Sequence, residues 1–217
     1  MLTGVLFSGG KDSCLAMHKY GSEKIDVLLS LIPENKDSWM FHKPFLPLLK
    51  KQAEMLGKKL LTGKIKSDEN ELKDLKNLIK KSKVSKLVIG GIKSNYQGER
   101  IKKICSELKV EVIAPLWGYD AEKLWEELLK NEFKIIITKI SCEGLPKEVL
   151  GKVIDEKMFE EIKRKSEKFS FRLDFEGGEA ETAVLFMPPF KKEIKVRGKI
   201  ESEGDYRHFL NIEEVKV

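Results

Sequence analysis

Cysteine is scarce in this chain of 217 residues, which has three, at positions 14, 105 and 142, and no Cys-x-x-Cys pair. This argues against a structural zinc site, an iron–sulfur cluster and a disulfide framework, which need paired or regularly spaced thiols. No apolar run reaches the roughly 18 residues that a membrane-spanning helix requires. The first apolar strand begins too close to Met1 to leave room for a signal peptide. We therefore expect a cytoplasmic protein with no membrane partner.

Three common active-site signatures are also missing from the sequence. The chain lacks the Gly-x-x-x-x-Gly-Lys spacing of a Walker A loop and the Gly-x-Gly-x-x-Gly fingerprint of dinucleotide-binding folds. It also lacks the Gly-x-Ser-x-Gly elbow that carries the nucleophile of many hydrolases. Any phosphate-binding loop in this protein must therefore belong to another class.

The charge balance is basic, with a formal net charge of +6. An acidic or RNA-bearing partner would suit such an excess. The lysines, however, are interleaved with glutamates, as on solvated helix faces. We favour the second interpretation and expect no stable nucleic-acid complex.

Residues 8–13, which read Ser-Gly-Gly-Lys-Asp-Ser, form the most informative segment. An apolar strand-like run precedes them and a helix-like run follows. At such a turn, backbone N–H groups and the positive end of the helix dipole converge on one point and bind anions. The glycines let a phosphate approach closely, and the lysine and serines add donors. The aspartate is also a candidate Mg²⁺ ligand or the start of the helix. We predict that all six residues bind a nucleotide: Ser8, Gly9, Gly10, Lys11, Asp12 and Ser13.

Apolar strands alternate with amphipathic helices up to about residue 140. This pattern predicts a doubly wound, mostly parallel α/β sheet, in which ligands bind at the carboxyl ends of the strands. Ser30, Gly90 and Gly91 fall at such ends and are further candidates for nucleotide binding. Beyond residue 140 the pattern changes to two short charged helices, over 145–153 and 155–168, and then to β-strands. We therefore predict a nucleotide-binding domain at 1–140 and a smaller α+β substrate domain at 141–217.

A polar segment that opens a helix follows the fourth predicted strand. Tyr96, Gln97 and Arg100 can share one helical face over the strand ends. The guanidinium can hold a phosphate or carboxylate, and the tyrosine can stack on a base. A helix start with surface side chains explains the same residues equally well.

An acidic string, residues 175–182, surrounds a pair of glycines in the second part of the chain. Glu179 and Glu181 are two residues apart and would lie on the same side of a strand. They could bind a magnesium ion, an ammonium or a cationic substrate. The alternative is a solvated acidic hairpin loop.

Taken together, these strings resemble the diphthine–ammonia ligases (diphthamide synthetases) of the ATP pyrophosphatase, or PP-loop, superfamily. Residues 8–13 match the loop of the whole superfamily. Segments 94–97, 114–117 and 150–152 match the family, and 178–182 match its Gly-Glu-x-Glu-Thr string. The resemblance covers nearly the whole chain. It implies a Rossmann-like fold of the adenine nucleotide α-hydrolase type.

The family's reaction is ATP-dependent amidation of diphthine, a modified histidine of translation elongation factor 2. Ammonia is the nitrogen donor, the intermediate is an acyl-adenylate, and AMP and pyrophosphate are released. The resemblance implies ATP and Mg²⁺ as cofactors, diphthine-bearing elongation factor 2 and ammonium as partners, and a possible homodimer. It implies catalytic roles for Lys11, Asp12, Glu179 and Glu181. The implied substrate-binding residues are Tyr96, Gln97, Arg100, Trp117, Glu176, Gly178 and Thr182.

Two other functions remain open from the sequence. One is a PP-loop enzyme that modifies transfer RNA, which the basic charge favours weakly. The other is a non-catalytic nucleotide-binding protein of the universal stress type, which has a similar α/β layout but does not need the Ser-Gly-Gly-Lys-Asp-Ser string.

Overall fold

The computed structural model describes residues 1–33, 45–65, 70–91 and 95–217, and for residues 95–97 it describes the backbone alone. The chain divides into two compact units, Met1–Gly118 and Tyr119–Val217. Each unit has a sheet of its own, one of five strands and one of four. Within these residues no helix combines the length and the apolar composition needed to cross a bilayer.

Strands and helices alternate along the first unit, as the sequence predicts. Their bounds are β1 (Leu2–Leu6), α1 (Lys11–Tyr20), β2 (Val27–Pro33), α2 (Leu46–Leu56), β3 (Lys59–Ile65), α3 (Glu71–Ser82), β4 (Val84–Val88), α4 (Asn95–Glu107) and β5 (Glu111–Ile113). The strands form one sheet in the order β3-β2-β1-β4-β5, and every neighbouring pair is parallel. The predicted parallel α/β fold is confirmed.

The core of this unit explains why its strands read as continuous apolar runs. Leu28 and Leu29 are adjacent on β2, point to opposite faces of the sheet and are both fully buried. Parallel sheets bury both faces because their crossover helices cover them. On one face, Leu29 belongs to a hydrophobic cluster with Leu75 of α3 and Cys105 of α4.

The strand order also fixes where a ligand is expected in the first unit. β2 and β3 lie on one side of β1, and β4 and β5 lie on the other. The loops that follow β1 and β4 therefore leave the sheet in opposite directions and open a crevice between them. Ligands of open α/β sheets bind at such a switch point.

The second unit contains α5 (Ala121–Lys130), β6 (Lys134–Ser141), α6 (Glu156–Phe169), β7 (Ala180–Phe186), β8 (Lys195–Glu203) and β9 (Arg207–Lys216). Its strands form an antiparallel sheet in the order β7-β6-β9-β8. Both helices begin at an aspartate that caps them: Asp120 accepts from Glu122 N at 3.0 Å, and Asp155 accepts from Met158 N at 2.8 Å. This is the smaller α+β part that the sequence predicts.

The structure changes two predictions about this region. The boundary predicted at residue 140 moves to Gly118, because β6 pairs with β7 and β9 and not with β5. The helix predicted over 145–153 is wrong, since only Lys147–Val149 form a 3-10 turn there. Part of that segment lies beside β6, and there Gly151 N donates a hydrogen bond to Ile137 O at 3.0 Å.

Candidate active site

The loop after β1 has a backbone conformation at position 9 that favours glycine. Gly9 has φ +75°, and a Cβ on it would overlap Gln52 Oε1. Gln52 lies on α2, is 1% exposed and donates from Nε2 to the Gly9 carbonyl oxygen at 2.9 Å. Sequence reasoning missed this residue. The available signal was that it is one of two glutamines in a chain rich in lysine and glutamate.

Hydroxyl groups hold the turn between the loop and α1. Ser8 Oγ lies 3.1 Å from Ser13 Oγ and accepts from Gly10 N at 3.3 Å. Ser13 Oγ also donates to Gly10 O at 3.1 Å. Gly10 is the N-cap of α1 and makes no side-chain capping bond. The N-terminal N–H groups and dipole of the helix are therefore directed at the loop, as an anion site requires.

Lys11 is the buried cation of the loop. Its side chain is 2% exposed, and Nζ donates to both carboxylate oxygens of Asp12 at 2.8 Å. Asp12 is 29% exposed. A buried ammonium needs an anionic partner, and this carboxylate supplies it. A phosphate at the helix N-terminus would be a second anion for the same ammonium.

The loop after β4 approaches α1 closely. A Cβ on Gly90 would lie 2.7 Å from Ser13 N and 2.8 Å from Asp12 C. The same addition on Gly91 would meet no atom of the described residues within 4 Å. The structure therefore brings Gly90 together with the loop of residues 8–13 at the switch point between β1 and β4. Gly90 is required by backbone contact, whereas Gly91 is not.

Ser30 is a buried hydroxyl on β2, next to the strand that carries the loop. It is 2% exposed, and its Oγ makes no hydrogen bond with any described residue. A buried polar atom without a partner costs about 1–3 kcal/mol, so a bound polar ligand would stabilise it. This fits the predicted role of Ser30 in nucleotide binding.

The donor set suits a nucleotide with Mg²⁺. Magnesium is usually held by one or two carboxylates together with substrate phosphates, and Asp12 is such a carboxylate on the loop. Among the described residues no group of three or more His, Cys, Asp or Glu side chains could hold a metal without help.

One of the family-like strings, residues 114–117, contacts α4 through Trp117. The Trp117 indole lies against Gly98, where a Cβ would stand 3.0 Å from ring atom Cζ3. Lys102 Nζ lies 4.8 Å from the centroid of the same ring, a cation–π contact. Trp117 remains 41% exposed. Glycine inside a helix costs about 1 kcal/mol relative to alanine, and the close contact with the indole explains its presence here.

For the other substrate-binding candidates on α4, the structure describes some atoms and not others. Tyr96 and Gln97 lie on α4, but their side chains are outside the described atoms, and Ser94 is outside the described residues. Arg100 lies one turn further along α4 and is partly buried.

The acidic string lies in the second unit, and its carboxylates have specific partners. Glu179 accepts from Arg172 N at 3.1 Å and from Gly177 N at 2.9 Å. Glu181 Oε1 lies 3.0 Å from Lys139 Nζ on the neighbouring strand β6. Both members of that pair are about one-fifth exposed, at 20% and 21%. Sequence reasoning missed Lys139, because its contact with Glu181 depends on strand register.

The other predicted members of the string occupy its loop and strand. Gly178 has φ +86°, the left-handed region that favours glycine. Glu176 N donates to Asp174 Oδ1 at 3.0 Å. Thr182 lies on β7 opposite Ile137.

The three thiols are poor nucleophiles. Burial raises the pKa of Cys105 and of Cys142 to about 11, and it raises the pKa of fully buried Cys14 further still. The thiolate is the reactive form. None of these residues is suited to covalent catalysis at neutral pH.

We expect Cys142 to resist alkylation in the folded protein, although it is only half buried. A pKa raised from 9.0 to about 11 reduces the thiolate fraction at pH 8 about 100-fold. Iodoacetamide labelling followed by peptide mass spectrometry would measure the rate with and without urea. Equal rates in the two conditions would contradict the raised pKa.

Known proteins match both units of the chain. The family model described as the diphthamide synthase N-terminal domain matches residues 1–112, and the one described as the diphthamide synthase C-terminal domain matches residues 120–217. The gap between the two matches contains Gly118, where the structure divides the chain.

Individual relatives agree with these matches. A diphthine–ammonia ligase from Bos taurus is 34% identical over 224 residues, which covers 90% of this chain and 83% of the relative. A diphthine–ammonia ligase from Homo sapiens is 33% identical over the same length and coverage. Among solved structures, a predicted subunit of a tRNA methyltransferase from Methanocaldococcus jannaschii is 20% identical and covers 89% of this chain and 100% of its own. Its TM-score of 0.43 is too low to support an argument about fold or activity.

The chain belongs to the diphthamide synthase family, as the family-like strings predict. Its relatives are ligases by name, and it is a member of this family of ligase enzymes.

Proposed function

We propose that this chain is a diphthine–ammonia ligase that converts diphthine on translation elongation factor 2 to diphthamide. ATP is cleaved to AMP and pyrophosphate, and ammonia supplies the amide nitrogen. The observation that carries the proposal is the loop of residues 8–13 at the switch point between β1 and β4. There the buried Lys11 pairs with Asp12 at the start of α1, and Gly90 lies against the same turn, an arrangement that supports phosphate binding. The family matches over both units support diphthine as the acceptor.

Adenylation is the chemical reason for a phosphate-binding loop in an amide-forming enzyme. A carboxylate is a poor acyl donor, because its leaving group would be oxide. Attack of a carboxylate oxygen on the α-phosphorus of ATP breaks the bond to the β-phosphate and releases pyrophosphate. Ammonia then attacks the acyl carbon, AMP leaves, and one proton is released. The enzyme must stabilise charge on the departing pyrophosphate and on AMP.

The first unit has the groups for the first step. Lys11 Nζ and the N–H groups at the start of α1 bind the β- and γ-phosphates, and Ser8 and Ser13 hold the loop in shape. Asp12, together with the phosphates, would hold Mg²⁺, which would supply positive charge to stabilise the developing pyrophosphate. Ser30 and Gly90 complete the nucleotide site.

The second unit has the acidic groups for the acceptor and ammonia. Glu181, held by Lys139 across the strands, orients ammonium. Glu179 binds two backbone N–H groups, so we assign it a role in holding the loop that carries Glu176 and Gly178. Glu176 attracts the quaternary ammonium of diphthine by its negative charge. The homodimer and the cytoplasmic location inferred from the sequence stay predictions.

A reconstituted reaction tests this function. The purified chain is incubated with ATP, Mg²⁺, ammonium chloride and diphthine-bearing elongation factor 2. We expect AMP and pyrophosphate in amounts equal to the amide detected on the histidine peptide by mass spectrometry. Omitting ammonium should leave the histidine peptide in its diphthine form, without the amide. ADP as the product, or turnover stimulated by transfer RNA and not by the factor, would overturn the proposal; ATP binding without turnover would favour a non-catalytic nucleotide-binding protein.

A further inference from the structure

The turn of residues 171–178, which includes the start of the acidic string, is held by side-chain hydrogen bonds and an ion pair. At its tip Glu176 is partly exposed, and Gly177 and Gly178 are exposed. At its base Phe171 and Phe175 are buried. The side chains between base and tip determine how the acidic string is presented.

Asp174 is the central residue of this turn. It is 3% exposed, and its carboxylate accepts from Arg172 Nε and Nη2 at 2.9 Å each. The oxygen Oδ1 also accepts from Glu176 N at 3.0 Å. A bidentate guanidinium–carboxylate pair fixes both position and orientation. One buried carboxylate therefore connects the Arg172 side chain to the backbone at the tip.

Glu179 closes the turn from the other end. Its two oxygens accept from Arg172 N and Gly177 N. Arg172 is thus bound through its backbone by Glu179 and through its side chain by Asp174. The successive amides of Glu176 and Gly177 both bind these carboxylates, so the tip has one defined conformation.

The base of the turn is anchored in the core of the second unit. The fully buried Trp125 donates from Nε1 to Leu173 O at 2.9 Å. Its ring meets the Phe175 ring edge-on, with centroids 5.9 Å apart. Phe175 has φ +60°, which is strained for a bulky side chain. Such strain persists only where surrounding contacts enforce it, and here Asp174 and Trp125 do so on either side.

We infer that Asp174 is a positioning residue of the acceptor site, which acts through Arg172 and the Glu176 amide to present the acidic string to the substrate. The inference depends on the proposed function only for the identity of the ligand that the acidic string binds. Neither Asp174 nor Arg172 is singled out by the sequence. The pairing of a buried aspartate with the arginine two residues before it becomes visible only in the folded turn.

Hydrogen exchange tests the positioning itself, without any activity. In Asp174→Asn the guanidinium loses its ionic partner, and we expect exchange at the Glu176 and Gly177 amides to become at least tenfold faster. Glu213→Gln is the matched control, because it removes an acid from the exposed ion pair with Lys199 in the same unit. Should Asp174→Asn fail to fold, Arg172→Gln removes the half-exposed partner instead. Unchanged exchange in the folded variant would overturn the inference.

Kinetics then connect the turn to the acceptor. We expect Asp174→Asn to raise KM for the diphthine-bearing factor about tenfold, with KM for ATP unchanged. A rise in KM for ammonium instead would assign the turn to the nitrogen donor. A lower unfolding temperature with all KM values unchanged would make Asp174 purely structural and overturn the inference. If the wild-type chain forms no amide, the proposed function fails, while the exchange result still decides the positioning role.

Discussion

Replacing Lys11 by methionine is expected to reduce the rate of AMP and pyrophosphate formation by about 10³-fold. The ammonium is 2% exposed and lies at the start of α1. Because this ammonium is itself withdrawn from water, its electrostatic effect on phosphate charge would be larger than that of a solvated lysine. Methionine keeps most of the side-chain volume but has no charge and no donor. The measurement is release of pyrophosphate at saturating ATP.

Loss of activity must be separated from loss of folding, because Lys11 is buried and paired with Asp12. Thermal unfolding followed by circular dichroism shows whether the variant is folded at the assay temperature. Lys51→Met is the matched control: Lys51 lies on α2 and pairs with Glu54 at 2.7 Å. We expect nearly full activity in this control. Activity of Lys11→Met within a fewfold of wild type would remove Lys11 from the mechanism.

Gly90→Ala is expected to weaken ATP binding on the order of 100-fold, the equivalent of about 2–3 kcal/mol of overpacking. The new Cβ would lie 2.7 Å from Ser13 N and 2.8 Å from Asp12 C. Both atoms belong to the backbone of the first turn of α1, which cannot move aside like the end of a side chain. The turn must shift, and the N–H groups that face the phosphates shift with it. Isothermal titration with a non-hydrolysable ATP analogue measures the effect.

Gly91→Ala is the matched control for folding, because its Cβ would lie more than 4 Å from every neighbouring atom in the part of the chain that the structure describes. Its free energy of unfolding should stay within about 0.5 kcal/mol of wild type, whereas Gly90→Ala should unfold at a lower temperature. Equal stability of the two variants, together with normal ATP affinity for Gly90→Ala, would show that the β4 loop does not support α1.

The strand–turn–helix shape of the loop after β1 was predicted from the sequence because its signals are local, whereas nucleotide binding at the loop stays a prediction. A strand, a glycine pair and a helix start within some fifteen residues determine the shape of the loop after β1. The spacing of Glu179 and Glu181 predicted that both lie on the same side of a strand, but β7 begins at Ala180, so Glu179 lies in the turn and only Glu181 lies on the strand. The contact between Lys139 and Glu181 was not predicted, since these residues are 42 residues apart and meet only through the pairing of β6 with β7.

The domain boundary failed for a related reason. The run before residue 140 is apolar and follows a helix, so by period alone it resembles one more strand of the parallel sheet. Sheet membership depends on which strand it pairs with, and β6 pairs with β7 and β9. The helix predicted at 145–153 does not form, because the backbone of this segment hydrogen-bonds to β6.

By itself, the sequence determined the class of fold, the position of the strand–turn–helix loop at residues 8–13 and the family, because each depends on residues close together in the chain. Tertiary structure alone decided that Gln52 supports Gly9 across 43 residues, that Gly90 touches α1, and that Asp174 and Arg172 hold the turn of residues 171–178. These contacts depend on packing and strand register, which sequence periodicity does not specify.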